Sequence, residues 1–142
     1  MSISFAPLQR KPPTPQQDPR LAPILSLVNQ GRLSDAEVQV RALLDTDPQH
    51  AAAWKTLAAV LLAQGKDALE AAQRAVARLP QDAQAANNLG RAFHDRRMYN
   101  EATTAYRHAL RLQPQLLQAL LNLGAALRET GDLAGAETQL LA

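Results

Sequence analysis

The chain has 142 residues, no cysteine and a formal charge of +2, which suits one domain and excludes disulfides and thiolate chemistry. Hydrophobic residues make up 46% but aromatics only 4%, with alanine and leucine dominant, so helices packed through small side chains are favoured over a sheet. No apolar run approaches the roughly 20 residues of a membrane span, the N-terminus lacks a signal-peptide core, and so small a charge gives no broad attraction to nucleic acid; a cytoplasmic protein that binds neither membrane nor nucleic acid is expected.

Residues 1–19 carry Pro7, Pro12, Pro13, Pro15 and Pro19 and read as a proline-rich, disordered leader. It is a tail or linker, or a docking peptide through Arg10 and Lys11. From Arg20, Leu21, Ile24, Leu25 and Val28 recur at helical spacing and predict a short helix over about 20–30, with Pro23 tolerated in its first turn. A second helix follows over about 33–45 and stops before Pro48.

Residues 51–82 form a second pair of helices. Trp54, Leu57, Ala58 and Leu61 lie on the first, and Ala68, Ala72 and Ala75 on the second, before Pro80. Trp54 reads as a core filler rather than a ligand platform. The connection Gln64-Gly65-Lys66 is short, which predicts a tight turn, and Asp67 and Glu70 suit the start of the helix after it.

The third pair, 83–116, is the most regular. Leu89, Gly90 and Phe93 lie on its first helix; Ala102, Tyr106 and Ala109 lie on its second, before Pro114. A mid-helix glycine costs about 1 kcal/mol against alanine, so Gly90 marks a close approach of two helices. Ala102 and Ala109 permit that approach from the other side, and Phe93 and Tyr106 fill the space between. The turn Arg97-Met98-Tyr99-Asn100 has no glycine. In 117–142, Leu120, Leu123, Gly124, Leu127, Leu133, Ala136 and Leu140 repeat the pattern until the chain stops at Ala142.

These spacings resemble the tetratricopeptide repeat, with its period of about 34 residues, bulky positions at 4, 7, 11 and 24, small ones at 8, 20 and 27, and proline at 32. Counted from Ala83, Leu89 is 7, Gly90 is 8, Phe93 is 11, Ala102 is 20, Tyr106 is 24, Ala109 is 27 and Pro114 is 32. The resemblance covers roughly 20–142. It implies an all-α, right-handed superhelix of about four hairpins: a degenerate first repeat (20–50), a second (51–82), a third (83–116) and a truncated fourth (117–142). Trp54, Leu57, Leu89, Gly90, Phe93, Ala102, Tyr106, Ala109, Pro114, Leu123, Gly124 and Ala136 would be its framework.

No catalytic constellation stands out, and no cofactor is implied. His50, His94 and His108 lack metal-ligand spacing, and no glycine pattern makes a phosphate loop. The basic residues of the second helices, Arg74, Arg78, Arg107, His108 and Arg111, read as a solvated face. Function is expected instead in the concave groove that first helices line in such repeats. The resemblance places Lys55, Thr56, Gln84, Asn87, Asn88, Arg91, His94, Gln118, Asn122 and Arg128 there, as contacts for a protein or peptide. Asn88 and Asn122 share position 6, one repeat apart. That short ladder is similar to the arm of the O-linked N-acetylglucosamine transferase family, whose amides grip peptide backbone. A chaperone-type carboxylate clamp is not expected. Lys55 and Asn88 match its pattern, but Ala59, Gln118 and Asn122 do not.

Two readings remain open: a bacterial interaction scaffold holding an extended peptide or a partner helix, or the N-terminal arm of a larger glycosyltransferase- or sulfotransferase-type enzyme. The last helix is cut short. The expectation is therefore a piece of a longer protein, or an open end that self-associates weakly through Leu120, Leu127, Leu133, Leu140 and Leu141.

Overall fold

The computed structural model describes residues 18–131. The proline-rich leader up to residue 17, and Leu133, Ala136, Leu140 and Leu141 of the expected fourth repeat, lie outside the described residues. Residues 18–131 form seven helices and no strand: α1 (Ala22–Asn29), α2 (Leu33–Thr46), α3 (Ala51–Ala63), α4 (Leu69–Arg78), α5 (Ala83–Asp95), α6 (Tyr99–Leu112) and α7 (Leu117–Glu129). Successive helices pair as antiparallel hairpins, and first helices also meet across repeats, α3 with α5 and α5 with α7. The result is a superhelical stack of hairpins.

Proline and the residue before it end the three described second helices, α2, α4 and α6. Asp47, Leu79 and Gln113 take extended φ values of −140°, −126° and −141°, and each precedes a proline, which disfavours the α region for its predecessor. First helices end by a different device. After α1, α3 and α5 the chain turns through one residue at positive φ: Gly31, Gly65 and Arg97. The next amide then reaches back to the helix, Arg32 to the Leu27 carbonyl, Lys66 to Leu61 and Met98 to Phe93, each at 2.9 Å. This is the Schellman closure, which satisfies carbonyls that the helix leaves unpaired. In the third hairpin Arg97, at φ +59°, fills the position where glycine stands in the other two. Tyr99 and Asn100, expected in the turn, belong to α6.

The short second repeat also differs from expectation. Its turn is not tightened, since Gly65 and Lys66 make the same closure as the other hairpins. The missing residues come out of the second helix instead. α4 has 10 residues where α2 and α6 have 14, and its first free amide, on Leu69, is received by the Asp67 carboxylate at 3.2 Å.

One apolar cluster joins α1 to α4 and reaches Ala92 of α5, with Leu25, Val28, Trp54, Leu89 and Phe93 packed on its flank. Two smaller clusters serve the other half. Ala102, Tyr106, Leu123, Ala126 and Leu127 make one, and Ala83, Ala86, Ala109, Leu116 and Ala119 the other. Tyr106 is 1% exposed and lies against Gly90, where an added Cβ would sit 2.5 Å from Tyr106 Cδ1. Leu127 is buried beside Tyr106, so it is not available to the self-association surface expected of it. On α7 the exposed leucines are Leu117 and Leu121.

Candidate functional site

An open groove of about 700 Å³ crosses the first helices. Its apolar wall comes from Leu21, Leu25 and Val28 at the α1 end, Ala52, Ala59 and Val60 of α3, and Leu79 after α4. Its polar side comes from Lys55 and Thr56 of α3, Asp82, Gln84, Asn87 and Asn88 at α5, and Gln118 of α7. The order follows from helical periodicity. Residues three or four apart share a face, so Ala52, Lys55, Thr56 and Ala59 form one strip of α3, and Gln84, Asn87 and Asn88 one strip of α5.

The polar residues have different duties. Thr56 is buried, and its hydroxyl donates to the Ala52 carbonyl one turn back at 2.8 Å. Asn87 is 2% exposed, and its Oδ1 accepts from Asn122 Nδ2 at 3.1 Å. That bond joins α5 to α7 and gives the buried Asn87 carbonyl the donor it needs. Asn122 is thus tied to Asn87, and Asn88 is left in the groove without it. Gln84, Asn88 and Gln118 make no side-chain hydrogen bond to the described residues, and their amides face the open space.

Lys55 and Asp82 form a pair across the groove floor. Lys55 Nζ donates to Asp82 Oδ2 at 2.8 Å, and each side chain is 26% exposed. Asp82 also caps α5, its Oδ1 accepting from the Ala85 amide at 3.0 Å. Partial burial pushes its carboxyl up, but the Lys55 ammonium and the Ala85 and Gln84 amides outweigh that and hold it below the usual carboxylate range. These two are the only charged residues among those that line the groove.

The remaining groove candidates lie elsewhere. His94 packs edge-on against Tyr99, with ring centroids 5.2 Å apart, and against Tyr106 at 6.4 Å. Its Nδ1 is 3.5 Å from the Tyr106 hydroxyl, whose pKa burial pushes well up. His94 therefore belongs to the α5–α6 contact. Arg91 is half-buried and Arg128 exposed on their helices, and neither lines the groove. Trp54 sits away from the groove too. Its Nε1 donates to the Pro48 carbonyl at 2.8 Å, and the guanidinium of Arg74 lies 4.9 Å over its ring. Arg74 and Arg78, expected on a solvated face, thus cover this indole.

Asp82, Val60, Leu79 and the α1 wall are the groove residues that the spacing does not single out. An aspartate directly before an alanine-rich helix start is an N-cap signal, and it would have placed Asp82 beside the first turn of α5. The described residues contain no group of three His, Cys, Asp or Glu able to hold a metal, and no helix among them is long and apolar enough to cross a membrane.

The profile of the tetratricopeptide repeat matches residues 24–66, 66–116 and 95–142. Among solved structures, the chain is similar to MamA from Desulfovibrio magneticus RS-1, with TM-score 0.80 and 27% identity over 90% of this chain and 72% of that one. It is also similar to PilF of Pseudomonas aeruginosa, with TM-score 0.73 and 26% identity over 84% of this chain and 56% of that one. The first tetratricopeptide domain of human RPAP3 shares the fold at TM-score 0.69 and 21% identity, over 84% of this chain and 93% of that one. No curated protein matches the chain in sequence. With repeat matches running through most of its length, the chain belongs to the tetratricopeptide-repeat family.

Proposed function

We propose that this chain, like proteins of its family generally, acts by binding other proteins, and that it holds an extended stretch of a partner polypeptide along the groove over α3, α5 and α7 without catalysis. The observation that carries the proposal is the trio Gln84, Asn88 and Gln118. Three amides on two successive first helices face open space beside an apolar wall. Each amide offers donors and an acceptor, so together they suit a peptide backbone, which presents both. The wall formed by Leu25, Val28 and Ala59 takes a side chain.

Thr56, Asn87 and Asn122 serve the framework in this reading, because the Thr56 hydroxyl is bonded to its own helix and the two asparagines are bonded to each other across α5 and α7. The test starts with peptides selected from a random displayed library on the whole chain. The tightest is then titrated against the protein and against an Asn88→Ala, Gln118→Ala variant. Affinity is expected to fall by about tenfold, a loss of about 1.4 kcal/mol, with helicity unchanged. Equal affinity for both proteins would overturn the assignment of this groove.

A further inference from the structure

A lysine in a groove of this kind would ordinarily attract carboxylates. Here Lys55 is held at 2.8 Å by Asp82, and the other groove-lining residues carry no charge. Asp82 is itself fixed, since its second oxygen caps α5 through the Ala85 amide. The carboxylate cannot swing away from Lys55 without uncapping a helix, which costs typically about 1 kcal/mol. An acidic ligand would have to displace Asp82 from Lys55 and then lie beside it, like charge against like charge. A basic ligand meets the same obstacle from Lys55.

Resting on the groove reading above, we propose that Asp82 sets the ligand's charge. By masking Lys55 it makes the groove select a peptide stretch that is uncharged where it crosses α3 and α5 and carries an aliphatic side chain toward Leu25 and Val28. Asp82 is a specificity-determining residue rather than a contact for the ligand. The apolar wall supplies affinity, the amides hold the backbone, and the neutralised pair rejects both acidic and basic segments.

The test is the charge of the peptides selected. One random displayed library is panned on the whole chain, on Asp82→Asn, on Lys55→Gln and on the Asn88→Ala, Gln118→Ala variant. Asparagine is as good an N-cap as aspartate, so Asp82→Asn keeps α5 capped while it frees Lys55. The unaltered protein is expected to enrich uncharged, aliphatic peptides. Asp82→Asn should raise the share of Asp- and Glu-bearing peptides by about threefold to fivefold, the scale of a partly exposed ion pair. Lys55→Gln, which frees Asp82, should raise the share of Lys- and Arg-bearing peptides instead. Acidic peptides won by the unaltered protein, or the same charge profile from all three proteins, would overturn the proposal and leave the groove reading standing. Peptides that bind the Asn88→Ala, Gln118→Ala variant equally well would take the groove reading down with it.

Discussion

Gly90 on α5 and Tyr106 on α6 share one volume. A Cβ built on Gly90 would stand 2.5 Å from Tyr106 Cδ1 and 3.0 Å from Cζ, and Tyr106 is 1% exposed with no room to retreat. Alanine at 90 would improve helix propensity by about 1 kcal/mol. Overpacking costs typically about 1–3 kcal/mol, and at this separation the larger end applies. Gly90→Ala should therefore destabilise the protein by about 1–2 kcal/mol in urea unfolding. Tyr106→Leu added to it should recover part of that loss, because the smaller side chain opens the space that the methyl group needs.

Arg97 holds φ +59° in a turn that glycine makes in the first two hairpins. A left-handed backbone costs an L-residue roughly 1–2 kcal/mol, and the added freedom of glycine in the unfolded chain returns part of this. Arg97→Gly is expected to stabilise the protein by about 0.5–1 kcal/mol, raising Tm by about 2–5 °C. A fall in Tm would show that the arginine side chain holds the turn in some other way.

Asn87 and Asn122 are joined by one part-buried bond. Asn122→Ala leaves Asn87 Oδ1 buried without a donor, which costs about 1–3 kcal/mol. Asn87→Ala strands a partly exposed amide and costs less. The double variant should lose less than the sum of the two, with a coupling energy near 1 kcal/mol. Simple additivity in chemical unfolding would mean that the bond contributes nothing.

Glu37 of α2 accepts from Lys66 Nζ at 2.8 Å and Gln64 Nε2 at 2.9 Å, and from Arg41 at 2.9 Å. Lys66 first, then Arg41 and Gln64, hold its pKa down at about 2, against the ordinary 4.5 of a glutamate. A depressed carboxyl contributes stability that is fully present above the ordinary value and is lost as the pH falls toward the folded one. The protein should lose stability between about pH 4.5 and 2, and Glu37→Gln should flatten the curve in that window. An unchanged slope in the variant would assign the acid sensitivity to other groups.

The hairpins were legible in the sequence because their signals are local and repeated. Gly90 and Tyr106 stand where a close helix contact needs a small residue opposite a large one, and Pro48, Pro80 and Pro114 mark where second helices stop. The groove was less legible. Asn87 and Asn88 both line the groove, but neighbours on a helix are turned by about 100° from each other, and spacing does not show that Asn87 is the one buried against Asn122 of α7 while Asn88 is left half-buried. Nor could spacing show that the shortening in 51–82 comes out of α4 rather than its turn. A Schellman closure needs a fixed number of residues, whereas a helix can lose a turn and still pack. The partnership of Lys55 with Asp82 depends on how two repeats abut, which no single repeat records.

The only tryptophan in the sequence lies against the cluster that joins α1 to α4, while α6 and α7 pack into two other clusters. Indole emission is therefore a local gauge, set by the first half of the array and by the Arg74 cation over the ring. Circular dichroism averages every helix. If the two halves melt as one body, the two signals trace a single curve. If the α6–α7 end lets go first, ellipticity falls while emission holds steady, and the gap between the curves measures how firmly α4 and α5 couple the two halves.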